Sequence, residues 1–212
     1  SCKVIVQPVH AEIFDNPKAD IAQALAHCKG ILVAPGFGER GIEGKLAAIH
    51  YARENQIPFF GICLGMQTAC VEFARNVLGL EHAASTEVNP DTPHPIIDLM
   101  DAQKDLSHKG GTMRLGAFPC ELKKKTKAFE AYKSVTISER HRHRWEFNNA
   151  YLAQFEAAGM LASGINPDSG LVEIIELKGH PWFVGVQFHP ELKSTVENPH
   201  PLFVSFVKAC LS

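Results

Sequence analysis

An α/β protein with an open, mostly parallel twisted sheet flanked by helices is the fold class that this sequence predicts, and three observations carry the prediction. Strand-like and helix-like runs alternate through the first third of the chain, the order that builds parallel sheets through right-handed crossovers. Gly30-Ile31-Leu32-Val33-Ala34 is a continuous apolar run, typical of a strand buried on both faces. Gly61-Ile62-Cys63-Leu64-Gly65 follows the apolar Ile57-Pro58-Phe59-Phe60 and leads into a helix-like run over 66–74. That is the pattern of a sharp strand-to-helix turn that lifts one side chain above a sheet.

Taken in order, Val4-Ile5-Val6 reads as a strand, and 21–28 as a helix with Asp20 as its N-cap. The apolar run at 30–34 is the next strand, broken by Pro35-Gly36-Phe37-Gly38. A helix over 44–55 and a strand over 58–62 follow, and the helix after Cys63 is expected to stop near Gly79. Residues 81–127 hold Pro90, Pro93, Pro95, a Gly110-Gly111 pair and the charged Lys123-Lys124-Lys125. They read as a loop-rich insertion carrying short strands. Regular elements return with strands over 171–177 and 182–188 and an amphipathic helix over 202–210.

Bulk properties narrow the class. With 212 residues, 45% hydrophobic and 21% charged, the chain suits one domain over 1–212. A formal net charge of -2 gives no sign of nucleic-acid or membrane-surface binding. No apolar run reaches the ~18 residues of a membrane span, and no signal peptide is recognisable. The six cysteines include no Cys-x-x-Cys pair, so a reducing cytoplasm is the expected location. The chain opens on Ser1 with a strand-like run already under way, as expected of a piece of a longer protein.

Cys63 is the candidate nucleophile. At a helix N-terminus it meets the positive end of the helix dipole, which favours the thiolate. A cysteine nucleophile needs a base, and the base a third group to orient it. Among 11 histidines, His189 stands out because Phe183-Val184-Gly185-Val186-Gln187-Phe188 delivers it at the end of an apolar strand, where α/β sheets bind ligands. Glu191 is placed to hold its tautomer. The loop 35–41 could present backbone N–H groups to an oxyanion, or be an ordinary tight turn. Glu139-Arg140-His141-Arg142-His143-Arg144-Trp145 leaves three readings open: phosphate contacts, a metal site without a standard zinc spacing, or one arginine recruited to a carboxylate. A solvated charged face is the plain alternative.

These motifs resemble the class I glutamine amidotransferases. Five stretches, 37–45, 61–67, 110–116, 139–144 and 187–191, together resemble the glutaminase domains of the CTP synthase family over nearly the whole chain. The resemblance implies that Cys63 attacks the side-chain amide of glutamine, His189 passes protons and Glu191 orients it. It implies glutamine contacts at Gly36, Leu64, Gly65, Met66, Gln67, Glu87 and Arg144, with Glu87 on the α-ammonium, Arg144 on the α-carboxylate and the Leu64 N–H as an oxyanion donor. It further implies ammonia transfer to a synthetase domain outside this chain, which would use ATP, UTP and Mg in a tetrameric enzyme activated by GTP near Arg40. No metal or cofactor is implied for the glutaminase domain itself. Two departures stand out. Ala34-Pro35-Gly36-Phe37 replaces the family's Pro-Gly-Gly-Phe, and Pro35 has no N–H to give an oxyanion. The family's domain also usually begins one strand and one helix earlier. A non-catalytic regulatory module and a different cysteine hydrolase on a similar sheet are the competing expectations.

Overall fold

The computed structural model of the chain describes residues 2–16, 18–99 and 113–212. Its centre is a seven-stranded sheet in the order β1-β2-β10-β9-β8-β5-β6. These strands are β1 (Ile31–Val33), β2 (Phe59–Ile62), β5 (Arg114–Leu122), β6 (Thr136–His143), β8 (Met160–Ile165), β9 (Val172–Leu177) and β10 (Phe183–Val186). A second, three-stranded sheet pairs β3 (Ala84–Ser85), β4 (Pro95–Asp98) and β7 (Glu146–Phe147). The expected parallel pairing is met where β1, β2 and β10 lie side by side. From β10 to β6 every pairing is antiparallel, so the sheet is mixed.

The continuous apolar strands are explained by covering on both faces. Phe59 and Phe183 share one core with the helices α1 (Ile21–Leu25), α2 (Ile42–Glu54), α3 (Leu64–Asn76) and α5 (Leu152–Ala157). Their rings stand 4.5 Å apart. Phe60, Ile62, Val184 and Val186 point the other way, into a core shared with α4 (Lys127–Tyr132) and α6 (Pro201–Ala209). Alternation therefore exists along β2 and β10, but both destinations are apolar.

Several elements fall where the sequence put them. Asp20 caps α1 by accepting from the Gln23 N–H at 2.9 Å, although that helix ends at Leu25. Helix α3 ends at Asn76, three residues before Gly79, which adopts a left-handed φ of 68°. Two expectations need correction. Val4-Ile5-Val6 form no strand; Ile5 and Val6 are about four-fifths exposed (81% and 80%), because no strand partner covers them. Residues 81–127 are more than a loop-rich insertion, since β5 runs nine residues inside the main sheet. Strands β6 and β8 sit in a region that the sequence left blank. Gly110, Gly111 and Thr112 lie outside the described residues.

Candidate active site

Cys63 is the single residue between β2 and α3, and its backbone has φ 51° and ψ -104°. A positive φ is uncommon for a residue with a side chain, and such strain collects at functional sites. It persists because the surroundings fix it. The Cys63 N–H donates to the Val186 carbonyl at 2.7 Å and the Cys63 carbonyl accepts from the Gln67 N–H at 3.1 Å. The flanking glycines allow the turn to be this tight. A Cβ on Gly61 would lie 2.6 Å from the Gly65 carbonyl, and one on Gly65 would lie 2.2 Å from the Val33 carbonyl oxygen. The sequence Gly-x-Cys-x-Gly thus seats the start of α3 directly against β1 and β2.

His189 arrives just beyond β10, the parallel neighbour of β2. Its N–H donates to the Arg140 carbonyl at 2.8 Å, which ties it to β6. The helical turn Pro190–Lys193 brings Glu191 back, with Glu191 Oε1 2.6 Å from His189 Nδ1. The Cys63 side chain, and next Glu191, push the His189 imidazole up to about 10 against the opposing effect of burial. An imidazolium is therefore favoured beside the sulfur. Among the described residues, His189 Nε2 is buried with no hydrogen bond of normal geometry. The sulfur is near enough to act on the imidazole charge without being aligned as its acceptor, a looseness common before substrate binds.

The other expected residues are held as follows. Leu64 and Gly65 open α3. Gly36, in the loop after β1, packs on Leu64; an added Cβ would meet its Cδ2 at 3.1 Å. Met66 is fully buried in the core beneath Gly185, so its side chain serves packing. Glu87 accepts from the Gly38 N–H at 3.2 Å, which joins it to the glycine-rich loop. Gln67 Nε2 donates to the Trp145 carbonyl at 2.9 Å, next in sequence to Arg144. Among the described residues, Arg144 Nε is buried and unpartnered.

Arg114, Glu146 and Glu173, which carried no individual role in the sequence reading, form a buried cluster with His141 and His143 behind the site. Arg114 donates to Glu146 at 3.2 Å and to Glu173 at 2.7 Å, and its guanidinium lies 4.5 Å from the Phe118 ring centre. His141 and His143 meet through ring nitrogens at 2.9 Å. Burial, helped by the Arg114 charge, holds them down to about 2 and about 3, so both are neutral. Burial lifts Glu146 to about 8 and raises Glu173 against the pull of Arg114. The metal reading of His141 and His143 gains no support, since no group of three His, Cys, Asp or Glu side chains among the described residues is placed to hold a metal ion. The signal in sequence was the alternation of β6, whose inward positions are Ile137, Glu139, His141 and His143.

Comparison with known proteins identifies the family. The family model for class I glutamine amidotransferases matches residues 1–209. A CTP synthase of Cytophaga hutchinsonii is 63% identical over 98% of this chain and 38% of its own length. A CTP synthase of Chlorobium phaeovibrioides is 61% identical over 99% of this chain and 35% of its own length. The chain therefore spans well under half of these relatives. The solved glutaminase domain of Trypanosoma brucei CTPS, with acivicin bound, superposes with a TM-score of 0.93 at 40% identity, covering 99% of this chain and 81% of that one. A Thermoplasma acidophilum protein described as a putative GMP synthase subunit shares only the fold, at 16% identity and a TM-score of 0.58. With a family match that runs almost end to end and a solved glutaminase domain of the same shape, the chain belongs to the class I glutamine amidotransferases.

Proposed function

We propose that the chain hydrolyses L-glutamine to glutamate and ammonia through a thioester on Cys63, and that the ammonia aminates UTP to CTP in a synthetase domain. The observation that carries this reading is the arrangement of Cys63, His189 and Glu191 at the ends of two adjacent parallel strands. The Cys63 sulfur attacks the side-chain amide carbon. The oxyanion that forms lies at the N-terminus of α3, where the Leu64 N–H and the Gly36 N–H are the donors; Pro35 can contribute none. The His189 imidazolium gives its proton to the departing ammonia, held in the right tautomer by Glu191. Water, deprotonated by His189, then releases glutamate.

Glu87 takes the substrate ammonium and Arg144 its carboxylate, with Gln67 and the backbone of Gly65 and Met66 between them. A free amino acid presents that pair of opposite charges, which favours glutamine over a peptide. Binding competes with the Gly38 contact on Glu87, so the glycine-rich loop moves as the substrate enters. Arg40 in that loop is exposed and paired with Glu12; GTP activation would act through this segment. ATP, UTP and Mg belong to the synthetase partner, as does assembly into a tetramer. No helix among the described residues is long and apolar enough to cross a membrane, and the free thiols suit a reducing cytoplasm.

The test uses the full-length protein. Cys63→Ala abolishes ammonia release from glutamine while CTP formation from added ammonia continues. Continued glutamine hydrolysis by that variant contradicts the reading.

A further inference from the structure

We propose that Gln187 is a further catalytic residue of this site: its side-chain amide donates a hydrogen bond to the Cys63 sulfur, held in that orientation by a relay through Gln67. The proposal rests on the reading of Cys63 as nucleophile. An amide can be seated two ways round, so its partners decide which end faces which neighbour. The relay starts from a group with no such freedom. The Trp145 carbonyl can only accept, so the Gln67 atom 2.9 Å from it is the NH₂ group. The same NH₂ lies 3.2 Å from Gln187 Oε1. Gln187 is thereby committed to accept with its oxygen, and its own NH₂ faces Cys63 Sγ at 3.8 Å.

The surroundings protect this relay. Gln187 is fully buried and Gln67 nearly so, so bulk water does not compete for their hydrogens. The Gln187 backbone is pinned as well, its N–H donating to the Glu173 carbonyl at 2.9 Å. One residue earlier, the Val186 carbonyl receives the Cys63 N–H. Both the donor and the sulfur are thus fixed to the same strand end.

An N–H aimed at sulfur stabilises the anion more than the neutral thiol, because only the anion carries a full charge to accept it. The effect enters twice. In the resting enzyme it favours the nucleophilic anion of the sulfur over its thiol. In the second half of the reaction, water attacks the thioester and gives a proton to neutral His189. As the tetrahedral intermediate collapses, the C–S bond breaks and its electron pair returns to sulfur. The carboxylic acid leaves, and a thiolate faces an imidazolium. The Gln187 N–H stands where that electron pair arrives. This donor is separate from the oxyanion hole, which serves the carbonyl oxygen.

The experiment measures the rate of Cys63 alkylation by iodoacetamide against pH in the full-length protein, read by peptide mass so that other cysteines do not contribute. Iodoacetamide does not use the glutamine-binding groups. Gln187→Met is expected to lower the rate at pH 7 about tenfold and to regain it when the pH is raised by about one unit, a shift equivalent to about 1.4 kcal/mol. In glutamine turnover it lowers kcat with little change in KM. Gln67→Met, which frees Gln187 to turn over, gives a smaller loss of the same kind. It also keeps the test decisive if Gln187→Met does not fold. A purely structural role predicts a loss that raising the pH does not restore, and that result overturns the proposal. So does wild-type reactivity in both variants, or in Gln67→Met when it is the only one that folds. If Cys63 instead proves dispensable for glutamine hydrolysis, the proposed function fails first, and that outcome is told apart by Cys63→Ala.

Discussion

Replacing Gly65 by alanine tests whether the position of the nucleophile depends on backbone contact between α3 and β1. The added Cβ would sit 2.2 Å from the Val33 carbonyl oxygen and 3.1 Å from its carbon. No rotamer change relieves this, because the obstacle is the backbone of a strand. The helix must retreat from the sheet by roughly an ångström, taking the Cys63 turn with it. Forcing extra volume into a packed interior costs about 1–3 kcal/mol, and an unyielding neighbour puts Gly65 at about 3. For a chain of this size that corresponds to a melting temperature lower by about 6–12 °C. Gly79→Ala is the control. It lies three residues beyond the far end of the same helix, at φ 68° with nothing within 4 Å of its added Cβ, so only the left-handed backbone is penalised, by about 1 kcal/mol. Calorimetry and Cys63 alkylation are measured on both. Gly65→Ala loses both stability and reactivity, whereas Gly79→Ala loses a little stability and keeps its reactivity. A Gly65→Ala protein that melts within about 2 °C of wild type, or reacts normally at Cys63, refutes the reasoning.

Four further outcomes follow from the same geometry. Glu191→Gln removes one of the two groups that raise His189; kcat for glutamine falls about a hundredfold or more, and the His189 titration seen by NMR moves down. Since the folded-state value of His189 is raised, its charge stabilises the fold fully below about pH 6.5 and this contribution fades as the pH rises toward about 10. Melting curves of Glu191→Gln therefore show a shallower decline over that window. Glu146 is raised by burial to about 8, so its ionisation weakens the fold as the pH climbs from about 4.5; Glu146→Gln flattens that part of the stability profile. Arg144→Met raises KM for glutamine about 10- to 100-fold, the equivalent of one hydrogen bond to a charged group, and an unchanged KM removes Arg144 from the carboxylate role.

The parts of the fold that the sequence displayed are those whose hydropathy matches their burial. Strands β1, β2 and β10 are apolar runs, β9 alternates weakly, and α2, α3 and α6 carry apolar residues at helical spacing, so all were legible. Strand β6 was not, although its burial alternates without a fault. Glu139, His141 and His143 occupy inward positions, and a polar residue bound to buried partners looks like a surface residue in sequence. Strand β5 was obscured by Pro119, which ordinarily argues against a strand interior yet pairs with Ser138. Val4-Ile5-Val6 misled in the opposite direction, since an apolar β-branched run makes a strand only where an edge receives it.

The site divides along the same line. Cys63, His189 and Glu191 are joined to their motifs by short sequence spacing, and the structure places His189 and Glu191 in contact. The relay from Trp145 through Gln67 and Gln187 to Cys63 crosses 78 and then 120 residues of sequence. Only the folded chain brings those amides together. The buried Arg114 cluster is similar: its carboxylates come from β7 and β9 and its histidines from β6, and nothing in the local sequence of any one strand signals the others.

The central claim is that Cys63 is an assembled nucleophile that reacts with glutamine. It is tested most directly by incubating the protein with an electrophilic glutamine analogue, taking an intact mass and mapping the adduct. A single adduct on Cys63 that excess glutamine suppresses is the predicted result. A folded protein that forms no adduct, or forms it on another cysteine, contradicts the account.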